Sequence, residues 1–249
     1  MSELTGKVAI ITGASRGIGA AIAKWFAAAG AGVVVNYSSG GADADRVVTE
    51  IAGNGGKAVA VQGDVSKAAD VKRLFAETKA KFGRVDILVN NAGVYAFAPL
   101  EGVTEAEFRR EFDINVLGTI LATQEAAKHF GHDGGSVINF STIASVGAIP
   151  NSVVYAASKS AVDAVTRVLA AELAPKKIRV NVIAPGATQT EGFATLGGGS
   201  KDLENYMLAQ IPMGRLGQPD DIAQVALFLA SDQSGWVTGE RIAVSGGQR

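Results

Sequence analysis

Tyr155 and Lys159 lie four residues apart in the run Tyr-Ala-Ala-Ser-Lys, and this pair could act as a general acid and base. In a helix this spacing places the phenol and the ammonium on one face, one turn apart. A free tyrosine has a pKa of about 10 and is a poor proton donor or acceptor near neutral pH. A lysine cation held close to it favours the phenolate and lowers that pKa. Because the pattern is short and also occurs in ordinary helices, its interpretation depends on the elements around it.

Apolar runs typical of strands alternate along the 249-residue chain with segments of helical periodicity. The predicted strands cover residues 8–12, 33–36, 58–61, 87–90, 136–140, 178–183 and 242–244, and the predicted helices lie near residues 17–29, 43–53, 67–82, 105–130, 152–174 and 219–230. This alternation predicts an α/β fold, a single doubly wound Rossmann domain over residues 1–249 with a seven-stranded parallel sheet and helices on both faces. Right-handed crossovers then bring the loops after the strands to one edge, where ligands bind.

A glycine-rich turn follows the first predicted strand and opens the first helix, in the run Thr-Gly-Ala-Ser-Arg-Gly-Ile-Gly. Gly13, Gly17 and Gly19 allow the backbone to turn sharply and to approach a ligand closely. The N-terminus of the helix offers unpaired N–H groups and a positive dipole end to a pyrophosphate. The spacing Gly-x-x-x-Gly-x-Gly differs from the usual dinucleotide fingerprint, and its position between strand and helix is what favours a cofactor loop.

The end of the second strand indicates which dinucleotide binds. In sites for NAD, an acid at this end binds the ribose hydroxyl pair, but here the chain reads Asn36-Tyr37-Ser38 and the next acid is Asp43. A carboxylate would repel a 2′-phosphate, whereas Arg16 and Ser38 could bind one through charge-assisted hydrogen bonds. The sequence therefore predicts NADP(H) as the cofactor.

With both ends in view, the chain resembles the short-chain dehydrogenase/reductase family over nearly its whole length. The resemblance rests on motifs in order at fitting separations: the cofactor loop from Thr12 to Gly19, Asp64-Val65 after the third strand, Asn90-Asn91-Ala92-Gly93 at the end of the fourth, Asn115, the pair Tyr155 and Lys159, and the run Pro185-Gly186-Ala187-Thr188-Gln189-Thr190 after the sixth strand. The tail from Gly214 to Pro219 and on to Gly247 resembles the subgroup that contains 3-oxoacyl-carrier-protein reductases and glucose 1-dehydrogenases.

The resemblance implies hydride transfer from a nicotinamide to a carbonyl carbon of a small molecule, and the reverse for an alcohol. In that reaction Tyr155 would protonate the carbonyl oxygen, Lys159 would lower the tyrosine pKa and hold the nicotinamide ribose, and Asn115 would anchor a water that supplies protons. The expected cofactor contacts are Gly13, Ser15, Arg16, Gly17, Ile18, Gly19, Asn36, Tyr37, Ser38, Asp64, Val65, Asn91, Ala92, Gly93, Tyr155, Lys159, Pro185, Gly186, Thr188 and Thr190. Members of the family usually form tetramers by pairing the two long helices, so a homotetramer is expected.

One position departs from the family pattern. The family usually has a serine thirteen residues before the tyrosine, to hydrogen-bond the substrate oxygen, and here that position is Thr142. Threonine keeps the hydroxyl donor, although its β-branched side chain is stiffer. Ser145 and then Ser141 are the alternatives, so the expected catalytic residues are Asn115, Thr142, Tyr155 and Lys159. If none of these hydroxyl groups hydrogen-bonds the substrate, the alternative is a degraded site that binds the cofactor but has little catalytic activity.

Residues 188–212 interrupt the strand and helix alternation and contain three consecutive glycines at 197–199, so they are predicted to form a substrate loop. Mostly apolar side chains are candidates for the lining of the substrate pocket: Tyr95, Phe97, Ile149, Phe193, Tyr206 and Met207. Such a lining favours a hydrophobic ketone or a 3-oxoacyl chain over a sugar, whose hydroxyl groups need several polar partners. Glucose-type dehydrogenation is the second candidate.

Composition argues against several other classes of protein. The net charge is −1 and no basic cluster is present, so neither a nucleic acid nor a membrane is expected as a partner. There is no cysteine for a thiol nucleophile or a metal site, and His129 and His132 lie beside glycines as in a solvated loop, so no metal is expected. No segment reaches about 18 uninterrupted apolar residues, and the cytoplasm is the expected location.

Overall fold

The computed structural model describes residues 3–193 and 201–249. These residues form a parallel sheet of seven strands in the spatial order β3-β2-β1-β4-β5-β6-β7. The strands are β1 (Val8–Ile11), β2 (Gly32–Tyr37), β3 (Lys57–Gln62), β4 (Ile87–Asn90), β5 (Gly135–Phe140), β6 (Ile178–Pro185) and β7 (Arg241–Val244). The strand order reverses between β1 and β4, and doubly wound sheets bind nucleotides in the crevice beside such a reversal. The predicted doubly wound Rossmann fold is confirmed.

Helices connect the strands and cover the sheet. They are α1 (Gly17–Ala28), α2 (Gly41–Gly53), α3 (Ala68–Phe82), α4 (Glu105–Phe112), α5 (Gly118–His129), α6 (Val153–Leu173), α7 (Glu191–Phe193), α8 (Lys201–Leu208) and α9 (Pro219–Ala230). The single helix predicted for residues 105–130 was wrong in one respect, because a π-helical turn, Asp113–Leu117, separates α4 from α5. A π turn adds one residue without ending the helix, so the helical pattern of the sequence continues through it.

Apolar cores lie on both faces of the sheet, because successive strand residues point in opposite directions. Ile11 and Val33 pack with Phe26 of α1 on one face. Ile10 packs with Phe75 of α3 on the other face. The strands are therefore apolar at nearly every position, as a sheet covered on both sides requires. None of the helices in the described ranges is both long and apolar enough to cross a bilayer.

A buried polar ladder connects the centre of the sheet to the helices beneath the cleft. Asn90 Nδ2 on β4 donates to Asn139 Oδ1 at 2.9 Å and to Thr123 Oγ1 at 3.0 Å. Asn139 Nδ2 on β5 donates to Thr166 Oγ1 at 2.8 Å. Because α5 carries Thr123 and α6 carries Thr166, the ladder fixes both helices relative to the strand ends that form the site.

Candidate active site

The glycine-rich turn after β1 is held by the end of β4. Asn91 Nδ2 donates to the carbonyl oxygens of Thr12 and Gly13, at 2.9 Å each, and the N–H of Ala92 donates to Thr12 Oγ1 at 3.0 Å. Gly13 has a φ of 61°, and a Cβ at this position would lie 2.9 Å from the Cα of Ala92. Glycine is therefore required at residue 13 for both conformation and space.

Gly19 in the first turn of α1 packs directly against the same turn. A Cβ there would lie 2.5 Å from Asn91 Nδ2 and 2.6 Å from the carbonyl oxygen of Gly13. Arg16 occupies the N-cap position with extended backbone and makes no side-chain cap hydrogen bond. Gly17, Ile18 and Gly19, in the first turn of α1, line the cleft described next, so the N-terminus of α1 borders it where an anion site would be expected.

A cleft of about 470 Å³ follows this turn across the ends of β1, β2 and β4. Many of the expected cofactor contacts line it: Gly13, Ser15, Arg16, Gly17, Ile18, Gly19, Asn36, Tyr37, Ser38, Asp64, Val65, Asn91, Ala92, Gly93 and Thr190. Residues that the sequence did not indicate also line it, among them Ser39, Gly40, Gly63 and Ile114. These residues lie just after strands or in a helical turn, and they reach the cleft only because strands that are distant in the sequence pair with one another.

The end of β2 is shaped by buried hydrogen bonds. Asn36 is 1% exposed and donates from Nδ2 to the carbonyl oxygens of Val61 and Gly63, at 3.2 and 3.1 Å. Its side chain thus holds β3 beside β2, and its main-chain carbonyl accepts from the N–H of Ala14 at 2.8 Å. Asp43, in the first turn of α2, forms an ion pair with Arg46 at 2.6 Å.

Lys159 projects from α6 into the interior beneath the cleft. The side chain is 5% exposed, and Nζ donates to the carbonyl oxygen of Phe140 at 2.9 Å. A Cβ on Gly93 would lie 3.1 Å from this Nζ, so the segment after β4 packs closely against the Lys159 side chain. Burial lowers the pKa of Lys159 to about 8, against the charges of Asp163 and Glu111, which raise it.

Tyr155 lies one turn before Lys159 and is half-buried among aromatic rings. Burial raises the pKa of Tyr155 to about 12, while a hydrogen bond with Thr142 acts in the opposite direction. The sequence led us to expect a lowered pKa, and the difference arises because burial outweighs the other influences on the phenol. A phenol with this pKa holds its proton at neutral pH and can donate it.

Asn115 lies in the π-helical turn and is fully buried. Its Oδ1 accepts from the N–H of Val94 at 2.8 Å, and its Nδ2 donates to the Val94 carbonyl oxygen at 2.8 Å and to Ser158 Oγ at 3.0 Å. Both amide hydrogens are therefore used within the protein. The side chain joins the segment after β4 to α6, so the predicted role of Asn115 in anchoring a water stays a prediction.

The three candidate hydroxyl donors have different surroundings. Thr142 lines the cavity that contains Tyr155, and its Oγ1 accepts from the N–H of Ala144 at 3.3 Å. Ser145 Oγ contacts Asp163 Oδ2 at 2.6 Å, away from that cavity. Ser141 Oγ donates to the carbonyl oxygen of Lys159 at 3.2 Å. Thr142 is therefore the one of the three with both access to the cavity and a contact with Tyr155.

A cavity of about 310 Å³ continues from the cleft past Tyr155 and Lys159. The remaining expected cofactor contacts line it: Tyr155, Lys159, Pro185, Gly186 and Thr188. Five of the candidate substrate-pocket residues line it as well: Tyr95, Phe97, Ile149, Phe193 and Met207. Tyr206 does not line it and is 65% exposed. Residues 194–200 of the predicted substrate loop lie outside the described residues.

Gln248, next to the C-terminus, was not indicated by the sequence. It lines the cavity, and its Oε1 accepts from the N–H of Ala187 at 2.9 Å. No local motif marks such a residue, because only the docking of the C-terminal segment brings it to the site. Within the described ranges no group of three or more acidic or histidine side chains could hold a metal ion.

Comparison with known proteins identifies similar chains over the whole length. A family model described as enoyl-(acyl carrier protein) reductase matches residues 13–249. An uncharacterized oxidoreductase of Methylorubrum extorquens is 57% identical over 249 residues, which is 100% of each chain. A hydroxynaphthalene reductase-like protein of Metarhizium robertsii is 41% identical over 255 aligned positions, covering 98% of this chain and 96% of that protein.

Solved structures agree. A dehydrogenase/reductase from Sinorhizobium meliloti superposes with a TM-score of 0.95 at 37% identity, covering 100% of this chain and 97% of that chain. A double mutant of a short-chain dehydrogenase/reductase from Serratia marcescens superposes with a TM-score of 0.93 at 35% identity, covering 98% of each chain.

Proposed function

Because the chain belongs to the short-chain dehydrogenase/reductase family, whose members bind a nicotinamide cofactor, we propose that it is an NADPH-dependent reductase of ketones or 3-oxoacyl compounds. The reverse reaction is the oxidation of the corresponding alcohol. The observation that carries this proposal is the position of the Tyr155 phenol on the wall of a largely apolar cavity, which continues from the cleft along the glycine-rich turn.

Different groups at the cavity would carry out different steps of the reduction. The nicotinamide cofactor, when bound, supplies the hydride. Thr142 donates a hydrogen bond to the carbonyl oxygen of the substrate, and Tyr155 gives its proton to that oxygen as negative charge develops there. Lys159, with a pKa of about 8, is charged at neutral pH and contributes a positive charge close to the same site.

Several features fit a cofactor with a 2′-phosphate. Arg16 and Ser38 border the end of the cleft beside β2, and Ser39 adds a second hydroxyl. The first acid after β2 in the chain, Asp43, is paired with Arg46 at 2.6 Å, which partly offsets its charge. This end of the cleft thus favours an added phosphate over a bare ribose.

Substitution of Arg16 by glutamine tests the cofactor preference. Loss of a charge-assisted hydrogen bond should lower kcat/KM with NADPH about tenfold or more. The value with NADH should change less than about twofold, because no 2′-phosphate is present. Steady-state kinetics with both cofactors measure this, and a wild-type enzyme that uses NADH as efficiently as NADPH would contradict the proposal.

The substrate proposal is tested by the oxidation of NADPH, followed by absorbance, with a panel of ketones and 3-oxoesters and, in reverse, with glucose. We expect turnover of hydrophobic ketones, including aryl ketones, because Tyr95, Phe97 and Phe193 face the cavity. The name of the Metarhizium robertsii relative, hydroxynaphthalene reductase-like, supports the inclusion of fused-ring ketones. Preferred oxidation of glucose would favour the second candidate. Cofactor binding without turnover would favour a non-catalytic binding protein.

We also propose a cytoplasmic homotetramer. The outer faces of α5 and α6 leave apolar side chains exposed, with Ile120 at 39% and Val168 at 56%. Ala164 and Ala171 lie on the exposed side of α6 and would allow close packing of a second helix. Sedimentation velocity measures the assembly, and Val168→Glu should shift it toward smaller species. A wild-type monomer would contradict this proposal.

A further inference from the structure

Glu111 is a fully buried acid that the proposed mechanism does not use. It lies on α4, one turn before Asn115, and its Oε1 accepts from the N–H of Ala96 at 2.7 Å. Its Oε2 receives no hydrogen bond from an N–H donor in the described part of the chain. Burial raises the pKa of Glu111, the hydrogen bond from the N–H of Ala96 lowers it, and the charge of the nearby Glu107 raises it. A buried carboxyl group is costly, so its presence here requires a reason.

The contact with Ala96 belongs to a set that holds one segment of chain. Arg110 Nη2 donates to the carbonyl oxygen of Tyr95 at 3.4 Å. Asn115 binds the N–H and the carbonyl oxygen of Val94, at 2.8 Å each. Side chains from α4 and the π-helical turn thus bind three consecutive residues, of which Ala96 is the last.

This segment forms neither helix nor strand, so no ladder of main-chain hydrogen bonds fixes it. At its far end the N–H of Ala98 donates to the carbonyl oxygen of Asn151 at 2.8 Å. Asn115 thus holds the segment at Val94, and Asn151 holds it at Ala98. Between these two points, the hydrogen bond from the N–H of Ala96 to Glu111 is shorter than the one from Arg110 to the Tyr95 carbonyl oxygen.

The segment carries two rings that face Tyr155, and we call Tyr95 and Phe97 the aromatic wall. Tyr95 meets Tyr155 edge to face with ring centroids 5.8 Å apart, and Phe97 lies 6.2 Å from Tyr155. The two rings of the wall are 6.0 Å apart. Ala96 lies between them in the chain, so a shift of its N–H would move the backbone that carries both rings.

We propose that Glu111 is a positioning residue that fixes the aromatic wall against Tyr155 and thereby determines binding of ketones that carry a planar ring. This inference rests on the proposed reductase function. A ring held at a defined distance from Tyr155 can stack with a flat substrate and present its carbonyl to Tyr155 and Thr142. A linear 3-oxoester makes little use of such a wall.

Two substitutions separate this role from a general contribution to the fold. Glu111→Gln keeps a carbonyl oxygen for the N–H of Ala96, whereas Glu111→Leu has a similar volume and leaves that N–H unpaired. With 1-tetralone as the ring-bearing ketone, Glu111→Leu should raise KM about tenfold, with kcat within about threefold of wild type. Glu111→Gln should keep this KM within about threefold of wild type.

Ethyl 3-oxobutanoate is the linear comparison substrate, and its KM should change less than about threefold in both variants. The Kd of NADPH should not change, because Glu111 does not border the cofactor cleft. Glu105→Gln is the matched control on the same helix, since Glu105 is exposed and pairs with Arg109. It should behave as wild type with both substrates.

A spectroscopic readout tests the wall without turnover. Two of the chain's four tyrosines, Tyr95 and Tyr155, are in mutual contact, so near-ultraviolet circular dichroism reports on their packing. Glu111→Leu should weaken this signal while far-ultraviolet spectra stay unchanged, and Glu111→Gln should retain it. If Glu111→Leu does not fold, Arg110→Met, which removes the contact with the Tyr95 carbonyl, should change KM and spectrum in the same direction to a smaller extent.

The inference is overturned if Glu111→Leu leaves both the KM for 1-tetralone and the near-ultraviolet spectrum unchanged. It is also overturned if Glu111→Gln is as impaired as Glu111→Leu, or if both substrates are affected by the same factor. A wild-type protein that reduces neither substrate would instead contradict the proposed function, and the spectra of the variants would still decide the role of Glu111.

Discussion

The proposed site has two halves: a phosphate half along the glycine-rich turn and a catalytic half around Tyr155 and Lys159. Main chain forms most of the surface of the phosphate half, whereas buried side chains form that of the catalytic half. Gly13 and Gly19 pack closely against neighbouring backbone and line the cleft. Tyr155 and Lys159 instead lie on a helix that is pressed against the sheet, where burial moves both of their pKa values.

This difference between main-chain and side-chain surroundings predicts that the two halves affect different constants, the Kd of the cofactor and kcat. Main-chain N–H groups bind a phosphate equally well in the ground state and in the transition state, so changes there should alter cofactor affinity. Groups that exchange protons or contact the carbonyl oxygen act mainly in the transition state, so changes there should alter kcat. Substitutions in the two halves can therefore be distinguished by separate measurement of Kd for NADPH and of kcat.

Tyr155→Phe gives the largest expected effect. Loss of the only proton donor proposed for the carbonyl oxygen should lower kcat by about 10³-fold or more. The Kd of NADPH, measured by fluorescence titration, should stay within about threefold of wild type. Substantial residual turnover would show that another group supplies the proton.

Thr142→Ala comes next and acts in the same half. Removal of one hydrogen-bond donor to the developing oxyanion should lower kcat about 10²-fold. Thr142→Ser keeps the hydroxyl and should remain active, whereas Ser145→Ala should have a smaller effect, because Ser145 Oγ contacts Asp163. Full activity of Thr142→Ala would place the donor elsewhere.

Gly19→Ala tests the phosphate half. A Cβ within 2.6 Å of the Gly13 carbonyl oxygen must displace the glycine-rich turn. The Kd of NADPH should rise about tenfold, with kcat at saturating cofactor within about threefold of wild type. Gly53→Ala is the matched control, because no atom lies within 4 Å of a Cβ at that position. A fall in kcat without a change in Kd would remove the distinction between the two halves.

Lys159→Met tests burial in the catalytic half, in the absence of ligands. Burial lowers the pKa of Lys159 from 10.5 to about 8, which corresponds to a destabilisation of the folded state with charged lysine by about 3 kcal/mol. Methionine removes this penalty but also loses the hydrogen bond to the Phe140 carbonyl oxygen, which contributes about 1 kcal/mol. The variant should therefore have a larger free energy of unfolding at pH 7. Between pH 8 and 10.5 the unfolded wild-type chain binds more protons at this lysine than the folded chain, so raising the pH stabilises the wild type and the difference should shrink and reverse.

Denaturant unfolding at several pH values measures this difference. Titrating groups that do not interact with Lys159 change both proteins equally and cancel in the comparison. A difference that does not depend on pH between 8 and 10.5 would show that burial does not lower the pKa of Lys159.

The sheet was predictable because its strands are apolar on both faces and are separated by amphipathic helices. The division of the helix over residues 105–130 was not, because a π-helical turn leaves the sequence pattern intact. That turn allows the Asn115 side chain to bind Val94, and such a contact between distant segments has no local signal.

Two side chains show what the sequence alone did not indicate about the site. Tyr206 was a candidate for the substrate pocket, but the orientation of α8 leaves it 65% exposed. Glu111, in the charged run of α4, has the sequence pattern of a solvated surface acid, yet it is fully buried. In both cases the packing of the helix against its neighbours decides which face is covered.

The amino-acid sequence by itself determined the order of the elements, the glycine-rich turn and the pairing of Tyr155 with Lys159, because these depend on residue type and spacing along one chain. Only the tertiary structure decided the surroundings of that pair, the access of Thr142 rather than Ser145 to the cavity and the burial of Glu111. The physical reason is that desolvation and hydrogen-bond partners depend on which distant segments surround a group, and spacing along the chain carries no information about them.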